Sequence, residues 1–176
     1  MIYKLLIVLV LLNPLLAIAA PTLWLTEQMI NLKFNVDNIS YQELIAKQSE
    51  TVQHDTLLFD IRLPEEYQQS RIKGSIQINP DMKSEDFIAR YGDKIKNKEL
   101  IFYCSVGYRS SIFIQRIDKL AKVNGVKKMQ NLTGGIFRWY NENQLVINDK
   151  GETDEIHPSN ESWAHLIKPR KIAPND

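Results

Sequence analysis

The fold is decided by one stretch of sequence, Leu100-Ile101-Phe102-Tyr103-Cys104-Ser105-Val106-Gly107-Tyr108-Arg109-Ser110-Ser111. Its first four residues are continuously apolar, which predicts a strand buried on both faces. Residues 109–123 place apolar side chains at helical spacing, so a long amphipathic helix is expected there. The short loop between them begins at Cys104 and contains Gly107. A strand, a tight loop and a helix in this order are typical of an α/β domain.

The same alternation of strands and helices extends to both sides of this stretch. Further apolar strands are predicted near residues 36–40, 57–61, 75–78 and 126–132, with helical patterns between them. Because the strands look buried on both faces, a parallel sheet is favoured. The sequence therefore predicts an α/β fold with a mainly parallel five-stranded sheet flanked by helices on both faces.

The start of the chain has the features of an export signal. Residues 1–19 are predicted to be a signal peptide, because a lysine precedes an apolar run that ends in a small-residue pattern. We expect a mature start at Ala20, a periplasmic or secreted protein, and no stable membrane insertion after cleavage. An uncleaved membrane anchor is the alternative, although prolines and an asparagine interrupt the apolar run.

The remaining chain has the length of one domain. Residues 20–35 are interpreted as an N-terminal linker and residues 36–145 as the α/β domain. From about residue 146 the sequence becomes polar and contains prolines. Residues 146–176 are therefore expected to form a C-terminal tail that packs on the domain or trails from it.

Composition excludes several classes of function. The net charge of +1 and the interleaved acidic and basic residues predict neither nucleic-acid nor membrane binding. The three histidines are scattered without the spacing of metal ligands, so we expect no metal site. No cofactor is expected either.

Cys104 is the only cysteine in the 176 residues. It can form no internal disulfide, so it is buried and inert, paired with another molecule, or reactive. Ligands of parallel α/β sheets collect beyond the C-terminal ends of the strands, and Cys104 follows a predicted strand directly. This position favours a reactive thiol.

The loop after Cys104 supplies groups that would stabilise a thiolate. Consecutive backbone N–H groups can point inward as an anion nest at the positive end of the following helix. Gly107 gives the freedom that a tight curl needs, and Arg109 adds a permanent charge with a forked donor geometry. Ser110 is expected to cap the helix or to donate its hydroxyl to the thiolate. The same cradle would hold a persulfide or a sulfur oxyanion.

Four ordered motifs resemble those of rhodanese-like domains. Residues 103–110 resemble the active-site loop of that family, and residues 59–67 resemble its Asp-x-Arg segment with the acidic and aromatic residues that follow. Residues 72–76 resemble its Gly-His-Ile-x-Gly-Ala segment, and residues 132–139 its Gly-Gly and Trp signature. Two positions depart from the pattern, since Arg71 replaces a usual histidine and Ser75 a usual alanine.

The resemblance implies a sulfurtransferase. Cys104 would carry sulfane sulfur as a persulfide, taken from thiosulfate or another persulfide and passed to cyanide or to a protein or low-molecular-weight thiol. Asp60 and Arg62 would form a structural ion pair near the loop, with Ser110 also in a supporting role. Arg109 would orient the anionic donor. By the same resemblance, the substrate-binding residues are Ser105, Val106, Gly107, Tyr108 and Arg109.

Two other functions stay open at this point. A cysteine phosphatase or arsenate reductase also uses a Cys…Arg loop, but such phosphatases place five residues between the two, whereas Cys104 and Arg109 are separated by four. A non-catalytic rhodanese-like module could bind a partner or sense redox state. Sulfur transfer ranks first, because the cysteine is present together with its full loop.

Overall fold

The computed structural model describes residues 20–49 and 55–170. The predicted signal peptide, residues 1–19, lies outside the described residues and stays a prediction. Within the two described ranges, no helix combines the length and the apolar character that a membrane crossing requires.

Five parallel strands form the central sheet. They are β1 (Asn38–Ile39), β2 (Thr56–Asp60), β3 (Ile76–Gln77), β4 (Glu99–Tyr103) and β5 (Lys128–Leu132). Their spatial order is β1-β5-β4-β2-β3, and every neighbouring pair is parallel. The strand that precedes the cysteine, β4, therefore lies at the centre of the sheet.

Six α-helices accompany the sheet in the described part of the chain. They are α1 (Leu23–Lys33), α2 (Tyr41–Ser49), α3 (Pro64–Gln69), α4 (Ser84–Ile95), α5 (Tyr108–Val123) and α6 (Gly135–Asn141). Side chains of β4 alternate between two hydrophobic clusters, as the two-residue period of a strand requires. Ile101 and Tyr103 pack with α1, α2 and α6, whereas Leu100 and Phe102 pack with α4 and α5. The predicted α/β fold with helices on both faces is confirmed.

The interpretation of residues 20–35 as a linker is wrong, because they contain α1. Thr22 caps this helix by accepting a hydrogen bond from the Leu25 N–H at 3.2 Å. The helix buries Leu23, Glu27 and Ile30, which lie on one face at positions i, i+4 and i+7. A glutamate in the middle of the buried stripe breaks the apolar pattern, so the sequence does not reveal the helix.

A salt bridge with α6 makes the buried glutamate of α1 possible. Glu27 is 5% exposed, and its carboxylate receives two hydrogen bonds of 2.7 Å from the guanidinium of Arg138. A buried charge is tolerated only when it is paired in this way. The salt bridge therefore fixes α1 on the domain next to α6.

The tail lies on the domain as far as residue 170. It forms a hairpin of β6 (Val146–Asn148) and β7 (Gly151–Thr153), followed by the 3₁₀ helix Glu161–Leu166. Leu166 is buried in the same cluster as α1 and α6. Arg170 donates hydrogen bonds to the backbone carbonyls of Tyr140 and Gln144. Ser159, which precedes the 3₁₀ helix, lies 3.4 Å from the Arg109 guanidinium, so the tail also comes close to the end of the sheet where β4 stops.

We predict that Arg138→Ala lowers the free energy of unfolding by about 2–4 kcal/mol, because it leaves the buried Glu27 carboxylate without its partner. Denaturant unfolding of the purified protein would measure the change. Arg90→Ala, on the exposed side of α4, is the matched control and should cost no more than about 0.5 kcal/mol. Equal effects of the two substitutions would show that α1 is not fixed by this salt bridge.

Candidate active site

The central strand brings Cys104 to the C-terminal edge of the sheet. The register of β2 and β4 sets Asp60 opposite Tyr103, and the Ile61 N–H donates to the Tyr103 carbonyl at 2.8 Å. Cys104 follows directly and is 0% exposed. Because β2 and β4 are parallel neighbours, the segment after Asp60 and the loop after Tyr103 lie side by side. The candidate site is built from these two segments.

The loop curls at Gly107 so that a backbone amide meets the sulfur. The Gly107 N–H donates to the Cys104 Sγ, with 3.2 Å between nitrogen and sulfur. Gly107 has φ +100°, a left-handed conformation that favours glycine. A Cβ at this position would also lie 3.0 Å from the side-chain nitrogen of Asn131. The backbone conformation therefore favours glycine here, and the space beside Asn131 is tight for any larger residue.

The first turn of α6 holds the peptide groups next to the cysteine. The Ile136 N–H donates to the Cys104 carbonyl at 2.9 Å, and the Phe137 N–H donates to the Ser105 carbonyl at 3.0 Å. In a trans peptide the C=O and the following N–H point in opposite directions. Anchoring these two carbonyls on α6 therefore directs the N–H groups of Ser105 and Val106 away from α6.

Arg109 is bound by a carboxylate at the mouth of the loop. Its Nη1 and Nη2 each lie 2.7 Å from an oxygen of Glu66, in a two-pronged salt bridge. Glu66 is 2% exposed and also accepts hydrogen bonds from the Ser105 hydroxyl and the Leu63 N–H, both at 3.0 Å. The Arg109 side chain is 23% exposed, and its Nη2 lies 3.4 Å from the hydroxyl of Ser159 in the tail.

These contacts set the charge states of both partners. Burial alone would raise the pKa of Glu66, but hydrogen bonds from Arg109 and Leu63, with the charges of Arg109 and Arg62, lower it to about 2. Burial alone would lower the pKa of Arg109, but the hydrogen bond to Glu66 and the attraction of the Cys104 thiolate raise it. Glu66 and Arg109 are therefore both charged at neutral pH.

Asp60 and Arg62 form a second ion pair behind the loop. Both side chains are fully buried, and the Arg62 Nη2 lies 2.6 Å from a carboxylate oxygen of Asp60 and 2.6 Å from the Ser70 carbonyl. Burial alone would lower the pKa of Arg62, but the charge and hydrogen bonds of Asp60 raise it. The pair ties the end of β2 to the segment after α3, which fits the supporting role expected for it.

The structure corrects the expectation for Ser110. Its hydroxyl donates to the side-chain oxygen of Asn131 at 2.6 Å, on β5, and neither caps α5 nor reaches the sulfur. The residue at the cap position is Gly107, which has no side chain to offer. Ser110 lies within the first turn of α5 and faces the sheet, so its hydroxyl is directed to β5.

Three of the predicted substrate-binding side chains have other partners. Ser105 donates to Glu66, and Val106 is buried in the core. The Tyr108 hydroxyl accepts a hydrogen bond from the Lys33 amine at 2.8 Å, and its ring meets Phe34 edge to face. If these three residues bind substrate, as the sequence predicts, they do so through their backbone amides.

Glu66 and Ser159 were not among the residues predicted for the site. A signal for Glu66 was present, because a permanently charged arginine in a buried loop requires an anion nearby. Glu66 lies on α3, which directly follows the strand that neighbours β4. For Ser159 no signal was present, since the path of the tail over the domain depends on tertiary packing.

Across the described residues, no group of three or more histidine, cysteine, aspartate or glutamate side chains could hold a metal ion.

A family model for the rhodanese-like domain matches residues 40–142. The chain belongs to the rhodanese-like family. The matched residues include β2, β4, the loop from Cys104 to Arg109, and the whole of α6. The rhodanese-like core therefore contains the complete candidate site except for Ser159, which the tail contributes.

Solved structures share this fold. Thiosulfate sulfurtransferase from Pseudomonas aeruginosa aligns with a TM-score of 0.57 at 16% identity, over 80% of this chain and 26% of that chain. A Bacillus halodurans protein aligns with a TM-score of 0.52 at 23% identity, over 72% and 85% of the two chains. A Rhodopseudomonas palustris protein described as a "Possible Tyrosine Phosphatase" aligns with a TM-score of 0.50 at 22% identity, over 70% and 92%.

At these identities the structural likeness shows the rhodanese-like fold alone. Among curated protein sequences, none matches this chain. A fold of this kind does not specify an activity, which depends on the geometry of the site.

Gly135→Ala should disturb the loop through its backbone. A Cβ there would overlap the Cys104 carbonyl oxygen and lie 2.7 Å from that of Ser105, at φ +54°. We expect a loss of about 2–4 kcal/mol in the free energy of unfolding. Gly74→Ala is the control, because Gly74 has φ +81° with open space around it, and it should cost only about 1 kcal/mol of backbone strain. Equal losses would mean that the contact between α6 and the loop is not tight.

Lowering the pH should destabilise the folded protein, because it protonates Glu66. Its pKa falls from the ordinary 4.5 to about 2 on folding, so it stabilises the protein above pH 4.5 and loses this effect as the pH falls toward 2. The full effect is about 3 kcal/mol. We therefore expect the cost of Glu66→Gln, measured by denaturant unfolding, to shrink by about 2 kcal/mol between neutral pH and about pH 3.

The neighbouring Glu65→Gln is the control for this experiment, because Glu65 lies exposed on the same helix. Its effect on unfolding should change little with pH. A cost of Glu66→Gln that stayed constant with pH would contradict the lowered pKa.

Proposed function

We propose that this protein is a sulfurtransferase that carries sulfane sulfur as a persulfide on Cys104. The observation that carries the proposal is the position of the cysteine sulfur. Cys104 directly follows the central strand, and its Sγ accepts a hydrogen bond from the Gly107 N–H at 3.2 Å. The same loop leads directly into α5, whose positive end favours an anion. Membership of the rhodanese-like family supports this reading at the level of the fold and the loop.

The first step would load the cysteine. The Cys104 thiolate attacks the sulfane sulfur of the donor and forms a new sulfur–sulfur bond. The donor's own bond to that sulfur breaks, and its electron pair leaves with the rest of the donor, as sulfite from thiosulfate or as a thiolate from a persulfide. The Gly107 N–H, which already contacts the sulfur, would hold the reacting group in place.

The second step would deliver the sulfur. A thiolate or cyanide attacks the terminal sulfur of the Cys104 persulfide, forms a bond to it, and releases the Cys104 thiolate. The protein then returns to its starting state without a net change in oxidation. A single cysteine is sufficient for this cycle, which agrees with the sequence.

Access to the sulfur involves Arg109. Cys104 is fully buried, so a donor reaches it only when a neighbouring side chain moves. Arg109 both attracts the Cys104 thiolate and reaches solvent. Its long side chain can therefore swing aside while the backbone of the loop stays anchored on α6.

The size of the loop separates this proposal from phosphate-ester hydrolysis. Four residues lie between Cys104 and Arg109. The relevant phosphatases use five, which allows the loop to surround a tetrahedral phosphate. The shorter loop is matched to a smaller group such as the terminal sulfur of a persulfide.

Incubation of the protein with a sulfane-sulfur donor should add one sulfur atom to Cys104. Intact-mass analysis would detect this increase, and addition of cyanide should remove it and release thiocyanate. Cys104→Ser should show neither change, because a hydroxyl cannot carry sulfane sulfur, while its circular dichroism stays that of the wild type. A wild-type protein that takes up no sulfur from any donor, or that hydrolyses aryl phosphates instead, would overturn the proposal.

A further inference from the structure

The outer face of α1 consists largely of exposed apolar side chains. Trp24, Leu25, Met29 and Leu32 are 62%, 43%, 60% and 89% exposed. The three other large apolar side chains that are exposed in the described ranges lie on separate segments. Four such side chains on one helix of 11 residues form a continuous patch, and patches of this kind mark contacts with another surface.

Two opposite faces of α1 are apolar. Leu25, Met29 and Leu32 follow the spacing i, i+4, i+7 and therefore share a face. The buried residues of the helix follow the same spacing from Leu23, two positions earlier, which turns them by about 200° around the helix. The domain covers only the buried face. A helix that is apolar on all sides normally has both faces covered, so the outer face requires a contact of its own.

The outer face of α1 carries no unpaired negative charge. Glu27 is the only acidic residue of the helix, and it is buried against Arg138. Lys33, the only basic residue, is exposed at the end of the helix, where its amine donates to the Tyr108 hydroxyl. Apolar residues beside a cation are typical of helices that bind the surface of an anionic phospholipid bilayer.

The sequence that precedes α1 is directed to a membrane. Residues 1–19, which lie outside the described residues, are predicted to be an export signal, with an uncleaved anchor as the alternative. In both cases their apolar run enters a bilayer. Helix α1 begins at Leu23, three residues after Ala20, and three residues span at most about 10 Å. The predicted signal therefore delivers α1 to the surface of that bilayer.

The apolar surface continues from α1 toward the candidate site. A groove of about 280 Å³ lies between Met29 of α1, Val106 and Tyr108 of the loop after Cys104, and Trp163 of the tail. Lys33 also lines this groove. Tryptophan and lysine are frequent where proteins meet the boundary between lipid and water. The groove thus extends the same surface to the end of the sheet that holds the cysteine.

We propose that the outer face of α1 binds the surface of a phospholipid bilayer, with Leu25, Met29 and Leu32 below the lipid headgroups. The helix is about 16 Å long, roughly half the thickness of the hydrocarbon core, so it lies along the surface and does not cross it. A stable protein interface takes about 20–30 residues from each partner, whereas this patch offers four. Net charge did not indicate the contact, because the contact depends on apolar area.

The test places a fluorescent probe on this face. Leu32→Trp and Val123→Trp would each be made in the full chain and mixed with vesicles of phosphatidylcholine that contain a minor fraction of phosphatidylglycerol. Brominated acyl chains quench a tryptophan that lies among them. We expect brominated vesicles to remove most of the emission that Leu32→Trp adds to the wild type, and none of the emission that Val123→Trp adds. Val123 is the matched control, because it is 77% exposed at the end of α5, on the other face of the sheet.

Position 32 is informative whether or not residues 1–19 are removed. It lies about 13 Å along the helix from its first residue, so a helix that pointed away from the bilayer would hold this position outside the lipid. Quenching at position 32 therefore requires the helix to lie along the bilayer surface.

A second variant measures the affinity. Intact mass would show whether the recovered protein begins at Ala20. If it does, Leu32→Ser should lower the partition constant in vesicle co-sedimentation on the order of tenfold, because it removes a leucine from the lipid contact. Val123→Ser should leave this constant unchanged. In protein that retains residues 1–19, the quenching at position 32 decides alone.

Three results would overturn the proposal. The first is no quenching at position 32 in the folded protein, and the second is equal quenching at positions 32 and 123, which would mean adsorption without a preferred face. The third is a dimer in the absence of lipid, detected by sedimentation and dissociated by Leu32→Ser, which would assign the face to a second copy of the chain. None of them bears on sulfur uptake by Cys104, so the proposed function is tested separately.

Discussion

Two hydrogen bonds from the first turn of α6 fix the peptide groups of Cys104 and Ser105, and most of the site depends on them. They require the backbone of Gly135 to approach the loop more closely than any side chain permits. They also join the two parts of the chain that carry the family's most distinctive residues. A cysteine loop held in this way needs little stabilisation from its own side chains, which are free to serve as partners for α1, α3 and β5.

Three buried carboxylates of this domain are each paired with an arginine. Glu27 with Arg138, Asp60 with Arg62 and Glu66 with Arg109 each place a carboxylate that is at most 5% exposed against an arginine. The pairs of Glu27 with Arg138 and of Glu66 with Arg109 each connect distant segments, and Arg62 reaches the segment after α3 through its hydrogen bond to the Ser70 carbonyl. The pair at the cysteine loop differs because its arginine also faces the thiolate. The Glu66–Arg109 pair therefore belongs to the candidate site as well as to the fold.

Much of the fold follows from the sequence, because continuously apolar strands that alternate with helices leave few arrangements other than a parallel sheet. The cysteine loop could also be predicted, from its position between Tyr103 and the helix at residues 109–123. Two features were not. Helix α1 was not predicted, because Glu27 occupies a buried position and its partner, Arg138, is distant in sequence. The orientation of Arg109 toward Glu66 was not predicted either. A side chain with several rotamers is oriented by its neighbours in space, and sequence spacing does not specify those neighbours.

The complete burial of Cys104 also has a consequence for covalent assembly. A disulfide between two molecules requires the sulfurs to approach to about 2 Å with their Cβ atoms about 4 Å apart. Two copies of this domain cannot meet at that distance while the strand end, the loop and the tail surround the thiol. While Cys104 stays buried in this way, cross-linking of two copies through it would require the loop or the Arg109 side chain to move first.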